Sequence, residues 1–254
     1  MSSPIWTPAA LRSELCGLRK KRWRLVAGQH LISTRKLVDS NAELRLLEDL
    51  IEATKPVVPE DCRSLDYLLS TPFRYRPGYR GSRLRRPGAA PGVFYAADEP
   101  QTAVAEITFY RLVLFAESPA TPWPVNPSEY TGLSTSVRTD CALDLTSRPL
   151  DEDRAAWRDP FDYARCQAAA DAAREAGTQV IRYESVRDPE HGACAAVLQC
   201  TTFAEPLPLD YQTWRIGVGA GGTFALREFP RAEIDFDRTT FAADPRMAEM
   251  MWEP

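Results

Sequence analysis

The stretch "GVFYAADEPQTAVAEITFYR", from Gly92 to Arg111, decides most of what the sequence predicts about the fold. Its first part, "GVFYAA", predicts a short buried strand, because apolar and aromatic residues follow one another after a Gly/Pro-rich segment. "DEPQ" then predicts the start of a helix, with Asp98 as its cap and Pro100 in its first turn. We therefore expect a buried strand that leads directly into a long helix.

This helix carries a carboxylate on the face that it needs for packing. Glu106 has four neighbours three or four positions away, and three of them are apolar or aromatic; the four are Thr102, Ala103, Phe109 and Tyr110. A buried carboxylate is costly unless it is paired. Glu106 is therefore either salt-bridged to a nearby arginine or used chemically, and the helix pattern leaves both interpretations open.

Length and composition place the chain among ordinary globular proteins. Its 254 residues suit one large domain or two small ones, and 44% of them are hydrophobic and 26% charged. The sequence has no run of about 18 apolar residues and no apolar stretch near the N-terminus that is typical of a secretory signal. We expect no contact with a membrane and a cytoplasmic location.

The cysteines and histidines argue against a metal site and against a disulfide framework. The six cysteines are scattered without any C-x-x-C spacing, and the chain has two histidines. We therefore expect no metal and no disulfide framework.

Positive charge is concentrated in one loop. The segment from Arg74 to Arg86, "RYRPGYRGSRLRR", carries six arginines and no acid on a chain whose net charge is −4. Such a segment indicates a local anion site, and arginines such as Arg74 and Arg83 can fork onto a diphosphate. A second basic run, "RKKRWR" at residues 19–24, is interpreted as a solvated face rather than a nucleic-acid patch.

Other segments predict regular elements around this region. "SNAELRLLEDLIEATKP" and "DYARCQAAADAAREAG" predict helices, and "TQVIRYESV" predicts a strand with Ser185 at the turn that follows. "DYQTWRIGVGAGGTFALREF" predicts two strands around a glycine-rich turn. Its glycines match G-x-G-x-x-G, but "TFALREF" is strand-like, so we reject a dinucleotide-binding βαβ unit.

Together these groups describe a site for an anionic, flat, glycosidic substrate. Arg83 would bind phosphate, Tyr95 would stack on an aromatic base, and Glu106 would stabilise an oxocarbenium-like transition state. Loss of a cationic pyridinium leaving group needs little acid assistance. A site without histidine or metal is therefore chemically adequate.

The segments "TPFRYRPGYRGSRLRRPGAAPGVFYAADEPQTAVAEITFYR" and "VIRYESVRDPEHGA" resemble the RES-domain family, the toxins of bacterial RES–Xre toxin–antitoxin modules. The most specific element is a G-x-R turn, then a tyrosine at a strand end, then a glutamate eleven residues later. Arg83, Tyr95 and Glu106 match that arrangement, and Ser185 matches the family serine.

The resemblance implies an α+β fold similar to that of the ADP-ribosyltransferases. We expect a mixed, mostly antiparallel sheet core, with an N-terminal helical extension over residues 1–60 packed on a RES domain over residues 61–254. A helix-turn-helix antitoxin of the Xre type is the implied protein partner. A homo-oligomer is left open as an alternative to a monomer.

The implied activity is that of a toxin-type enzyme that degrades NAD⁺ by phosphorolysis or hydrolysis. NAD⁺ would be the substrate and inorganic phosphate the co-substrate, with no prosthetic group. Glu106 would stabilise the ribosyl cation, Tyr95 would pack on nicotinamide, Arg83 and Arg74 would bind phosphate, and Ser185 would hydrogen-bond the substrate.

Two alternatives and one departure accompany this prediction. A protein ADP-ribosyltransferase would use the same NAD⁺ site, and a non-enzymatic nucleic-acid-binding module would use the arginine loop. The net negative charge and the otherwise unexplained Glu106 argue against direct nucleic-acid binding. Many family members have an asparagine after the serine, whereas this chain offers Cys194.

Overall fold

The computed structural model of the protein describes residues 6–28, 34–75, 81–89 and 92–252. Across these ranges it has eight strands and seven α-helices. The strands are β1 (Cys16–Ala27), β2 (Phe94–Ala97), β3 (Ser128–Asp144), β4 (Val180–Glu184), β5 (Ala193–Val197), β6 (Asp210–Gly219), β7 (Gly222–Arg227) and β8 (Ala232–Phe236). The helices are α1 (Pro8–Ser13), α2 (Asn41–Thr54), α3 (Tyr67–Arg74), α4 (Pro100–Ala116), α5 (Arg154–Trp157), α6 (Ala164–Glu175) and α7 (Pro245–Ala248).

The eight strands form one sheet, part of which closes into a barrel. The strand order is β1-β2-β5-β4-β3-β6-β7-β8, and β1 also pairs with β3, which closes the first five strands. Among the described strands, β3 and β4 are parallel and the other pairs are antiparallel. The expected α+β fold with a mixed, mostly antiparallel sheet is confirmed.

Strand β3 is long enough to serve both the barrel and its extension. One edge pairs with β1 along its length, whereas the other edge pairs first with β6 and, at its end, with β4. The barrel therefore continues into the β6-β7-β8 sheet without a break.

Both faces of the barrel strands are buried. On one face, residues such as Ala97 pack in a large core with α4 and α6; on the other, Phe94 packs in a smaller core with α3 and Phe203. Side chains alternate between the two faces of a strand, so Tyr95 and Ala97 share the α4 side.

The quoted stretch forms β2 and α4 as expected, but Asp98 does not cap the helix. The N-cap is Glu99, and its side chain makes no capping hydrogen bond, while Pro100 occupies the first turn. Asp98 is buried instead and forms ion pairs with Arg22 and Arg182. A buried guanidinium is costly without a carboxylate partner, whereas the amides at a helix end that is accessible to water can bind water instead.

The expectation of a helical extension over residues 1–60 is wrong for β1, which lies inside that range and closes the barrel. The basic run in β1 is also more than a solvated face. Lys20 and Lys21 are exposed, but Arg22 is fully buried against Asp98. The run is therefore part of a barrel strand that pairs with β2 and β3, and its side chains differ in burial along the strand.

Several predicted elements are confirmed. Helix α2 begins at the expected cap, where Ser40 Oγ accepts a hydrogen bond from the Glu43 amide, and it ends before Pro56. Helix α6 ends before Gly177, whose φ is +89°. The glycine-rich segment joins β6 to β7 in an antiparallel hairpin, so no βαβ unit exists there.

The cysteine expectation needs a correction. Cys62 and Cys200, 138 residues apart in sequence, form a disulfide with a Cα–Cα distance of 5.8 Å. Each lies in a short 3₁₀ helix, Glu60–Cys62 and Cys200–Thr202. The fold brings these two helices together, and a pattern of local cysteine spacing carries no information about such a long-range pair.

None of the helices in the described ranges is both long and apolar enough to cross a membrane. Within the same ranges, no three His, Cys, Asp or Glu side chains are grouped so that they could hold a metal ion.

Candidate active site

A cavity of about 330 Å³ lies where β1, β2, α4 and the turn after β4 meet. Three of the residues predicted for the site line it: Arg83, Tyr95 and Glu106. Three tyrosines add aromatic surface to the wall, namely Tyr110 on α4, Tyr183 on β4 and Tyr163 at the N-cap of α6. The fold thus gathers the carboxylate, the arginine and the tyrosine from separate parts of the chain.

Glu106 is half-buried on α4 and forms no ion pair with any residue in the described parts of the chain. Its Oε1 accepts a hydrogen bond from Ser185 Oγ at 2.6 Å, and Cys194 Sγ lies 4.0 Å from the same oxygen. Both contacts are with neutral groups. Of the two interpretations for Glu106, a salt bridge is not formed within the described ranges, and the carboxylate lies at a cavity wall instead.

Ser185 contacts Glu106 rather than the cavity. It is fully buried at the end of β4 and is absent from the cavity wall. Besides donating to Glu106, its Oγ accepts hydrogen bonds from the amides of Arg187 and Asp188, at 3.1 and 3.0 Å. The structure therefore gives Ser185 the position of a residue that orients the carboxylate.

Tyr95 supports the arginine loop with its hydroxyl while its ring lines the cavity. The hydroxyl lies 2.8 Å from Ser82 Oγ and accepts a hydrogen bond from the Leu84 amide at 3.3 Å. These two residues flank Arg83. Burial raises the pKa of Tyr95 above its ordinary value, so the hydroxyl is protonated at neutral pH.

Arg83 is buried at the cavity wall without a carboxylate partner among the described residues. Its Nη1 donates to the carbonyls of Trp157 and Asp159, both at 2.9 Å, and its guanidinium lies over the Tyr163 ring. Carbonyl and ring contacts fix the side chain but do not neutralise it. Arg83 therefore brings a positive charge to the cavity.

Arg74 lies away from this cavity. It ends α3 and is buried, with Nε donating to the Pro56 carbonyl at 2.6 Å and Nη1 paired with Glu52 at 2.7 Å. A guanidinium already held by a carboxylate and a carbonyl has a structural role. The structure does not bring Arg74 together with the other predicted residues.

Arg24 is a site residue that the sequence analysis missed. It is part of the cavity lining on β1, and its guanidinium donates from Nη1 to the Tyr95 carbonyl at 2.7 Å, lies 5.0 Å from the centre of the Phe94 ring, and has no carboxylate partner in the described ranges. Its Nε is buried without a partner there. Burial lowers the pKa of Arg24 to about 10, which still leaves it charged at neutral pH.

Arg187 also lines the cavity, but its charge is already balanced. Nη2 lies 3.1 Å from the fully buried carboxylate of Asp244 and 3.0 Å from Tyr163 Oη. The guanidinium stacks 3.6 Å from the centre of the Phe109 ring. Arg187 therefore holds the wall together, whereas Arg24 and Arg83 form no ion pair with a carboxylate in the described ranges.

Cys194 lines the cavity beside Glu106. Burial, with Glu106 nearby, raises the pKa of Cys194 well above its ordinary value. The thiol is therefore protonated and cannot act as a nucleophilic thiolate.

The sequence model described as RES domain matches residues 58–218, more than half of the chain. The chain belongs to the RES domain family. The matched range contains Arg83, Tyr95, Glu106 and Ser185. The matched range begins after β1, although β1 closes the barrel and supplies Arg24. The folded RES domain of this protein is thus larger than the segment that its sequence signature covers.

A solved structure similar to this RES protein is the M. tuberculosis MbcT–MbcA toxin–antitoxin complex. The two chains are 15% identical, the match covers 94% of this chain and 97% of that chain, and the TM-score is 0.44. No curated protein sequence matches this chain.

Proposed function

We propose that this RES protein cleaves the bond between nicotinamide and ribose in NAD⁺ and transfers the ADP-ribosyl group to inorganic phosphate. The observation that carries the proposal is a single cavity lined by one carboxylate and two arginines that form no ion pair within the described ranges. The carboxylate is that of Glu106, and the arginines are Arg24 and Arg83. A substrate with a diphosphate and a ribosyl centre that becomes positive matches this charge pattern.

The chemistry needs electrostatic stabilisation more than acid or base catalysis. As the C1–N bond of NAD⁺ breaks, its electron pair goes to the pyridinium nitrogen, which becomes neutral, and the ribosyl carbon gains positive charge. A preorganised carboxylate in a site of low dielectric constant stabilises that charge. A phosphate oxygen then bonds to C1, giving ADP-ribose carrying a phosphate at C1 and free nicotinamide.

Each residue has a role in this scheme. Glu106 faces the ribosyl carbon, and the Ser185 hydroxyl orients it. Arg83 and Arg24 bind the diphosphate, because guanidinium groups fork onto phosphate oxygens. The Tyr95 ring packs on nicotinamide, and its hydroxyl holds the loop that carries Arg83.

We extend the proposal to fold ancestry and biology by analogy with the family. The sheet and helix arrangement would be related to that of ADP-ribosyltransferases. The protein would act as a toxin that depletes NAD⁺, and a helix-turn-helix antitoxin would neutralise it.

The test is product analysis after incubation of the full chain with NAD⁺ and increasing phosphate. We expect nicotinamide release to accelerate and saturate with phosphate, and the second product to be phosphorylated ADP-ribose. Sulfate at matched ionic strength is the control, since it screens charge equally but is a poor nucleophile. Plain ADP-ribose at a rate independent of phosphate would indicate a hydrolase. Labelled protein bands would indicate a transferase, and intact NAD⁺ would refute the proposal.

A further inference from the structure

We propose that Asp188 and Thr102 are positioning residues that hold the turn of residues 185–192 on α4 and thereby aim the Ser185 hydroxyl at Glu106. The effect of these residues on catalysis rests on the proposed function, whereas their effect on the geometry of the turn does not. The experiment below separates the two.

The hydrogen bonds of Ser185 leave one direction for its proton. A serine hydroxyl has one hydrogen and two lone pairs. The amides of Arg187 and Asp188 donate to Oγ at 3.1 and 3.0 Å, so both lone pairs are occupied. The hydrogen is then directed at Glu106 Oε1, 2.6 Å away. The orientation of Glu106 therefore depends on where this turn places its amides.

Asp188 organises the turn from within. It is buried, and its Oδ1 accepts a hydrogen bond from the Glu190 amide at 3.0 Å. Its Oδ2 accepts from the Gly192 amide at 3.2 Å. No lysine or arginine in the described ranges pairs with Asp188, so these hydrogen bonds hold its carboxyl group in place. A carboxylate held by several N–H donors is a rigid anchor.

Thr102 connects this anchor to the helix that carries Glu106. Its Oγ1 donates to Asp188 Oδ2 at 2.7 Å, and it is buried one helical turn before Glu106. The turn is thus joined to the same face of α4 by two hydrogen bonds. One connection runs from Thr102 to Asp188 and the other from Glu106 to Ser185.

Gly192 shows how closely the turn approaches the helix. A Cβ at this position would lie 2.1 Å from Thr102 Oγ1 and 2.7 Å from Asp188 Oδ2. Only a residue without a side chain fits between these two groups. The close approach is therefore built into the backbone as well as into the hydrogen bond.

The experiment compares three variants of the full chain. Thr102→Val removes the hydroxyl at nearly constant shape, and Thr102→Ser restores it. Thr108→Val is the matched control, because Thr108 is also fully buried on α4 but its Oγ1 has no hydrogen-bond partner among the described residues. Should Thr102→Val fail to fold, Thr102→Ala takes its place.

Two measurements are made on each variant. In Thr102→Val we expect kcat for NAD⁺ loss to fall about tenfold, as for one lost hydrogen bond to a charged acceptor, with KM changed less than about twofold. We also expect faster hydrogen exchange in the peptide that covers residues 185–192. Thr102→Ser and Thr108→Val should match the original protein in both.

The outcomes separate this inference from the proposed function. If the original protein leaves NAD⁺ intact, the proposed function fails, and hydrogen exchange alone judges the turn. Unchanged exchange in Thr102→Val overturns the inference, as does an equal effect in Thr102→Ser or Thr108→Val. Faster exchange with an unchanged kcat in an active protein also overturns the positioning role.

Discussion

Glu106 lies at the wall of a cavity that three arginines also line, and it accepts a hydrogen bond from the neutral hydroxyl of Ser185. A carboxylate that forms no ion pair within the described ranges can respond to positive charge that develops on a substrate. Its contribution should therefore depend on the charge of the side chain and not on its shape.

Glu106→Gln tests that dependence. The amide keeps the shape and can still accept the Ser185 hydrogen bond, so the fold should survive and thermal stability should not fall. NAD⁺ turnover should drop by about 100-fold or more. Nicotinamide release and a melting curve measure the two quantities. Glu99→Gln, at the exposed N-cap of the same helix, is the control. Turnover at the original rate in Glu106→Gln would remove the residue from the mechanism.

Arg24 offers a second test at this scale. Arg24→Gln should raise the KM for NAD⁺ by about 10- to 100-fold, the range expected when a charged hydrogen bond to phosphate is lost. Arg19→Gln changes the same charge in the same strand at an exposed position outside the cavity, and should leave KM within about twofold. Equal effects of both substitutions would indicate diffuse electrostatic attraction instead of a defined phosphate contact.

The sequence predicted the cavity position of residues that lie in one short stretch of chain. It did not predict the cavity position of Arg24, which reaches the cavity from a strand that is distant in sequence. Tyr95 and Glu106 follow one another on β2 and α4, and the structure places both at the cavity. Arg74 was grouped with Arg83 because both belong to one basic run. In the structure Arg83 lines the cavity, whereas Arg74 pairs with Glu52 away from it. Arg24 was missed because its basic run was interpreted as a surface, although "RWRL" has the alternation of a strand.

At the level of elements, β2 is positioned by the segment before it, which packs directly on α3. The Gly92 amide donates to the Phe73 carbonyl at 3.3 Å. A Cβ on Gly92 would lie 1.9 Å from the Pro72 carbonyl oxygen and 2.5 Å from Phe73 Cα. These contacts are with backbone atoms, which cannot turn aside as a flexible side chain can.

Gly92→Ala should therefore lower the free energy of unfolding by about 3 kcal/mol or more, because the strand must move away from α3. Gly219→Ala is the control, since a Cβ there would meet no atom within 4 Å, and its effect should stay within about 0.5 kcal/mol. Urea unfolding followed by far-UV circular dichroism measures both. Similar values for the two variants would show that the approach of β2 to α3 is not tight.

The elements differ in how far the sequence predicts them, and β1 shows the physical reason. Helices α2 and α6 are set by local capping and periodicity, so their positions follow from short windows. Strand β1 is stabilised by pairing with β2 and β3, which lie far along the chain. Its basic composition conflicts with a buried strand until Asp98 is placed next to Arg22. Long-range pairs of this kind are invisible to local patterns.

For the whole molecule, the disulfide between Cys62 and Cys200 joins the segment before α3 to the segment after β5. Both sulfurs lie in the core that contains Phe73, Phe94 and Phe203. A link between residues 138 positions apart restricts the unfolded chain strongly. The barrel and the segment before α3 should therefore unfold as one unit when the link is intact.

Removing this link should lower the free energy of unfolding by about 2–5 kcal/mol, which corresponds to a fall in Tm on the order of 10 °C. Cys62→Ser should show this loss without reductant, whereas Cys141→Ser, which alters a free and partly exposed cysteine, should not. Reductant should lower the Tm of the original protein but not that of Cys62→Ser. Thiol titration of the denatured, unreduced chain should find four free thiols, those of Cys16, Cys141, Cys166 and Cys194. Six thiols, or a Tm that does not respond to reductant, would show that the two cysteines are packed together without a bond, and the barrel would then owe its stability to its core alone.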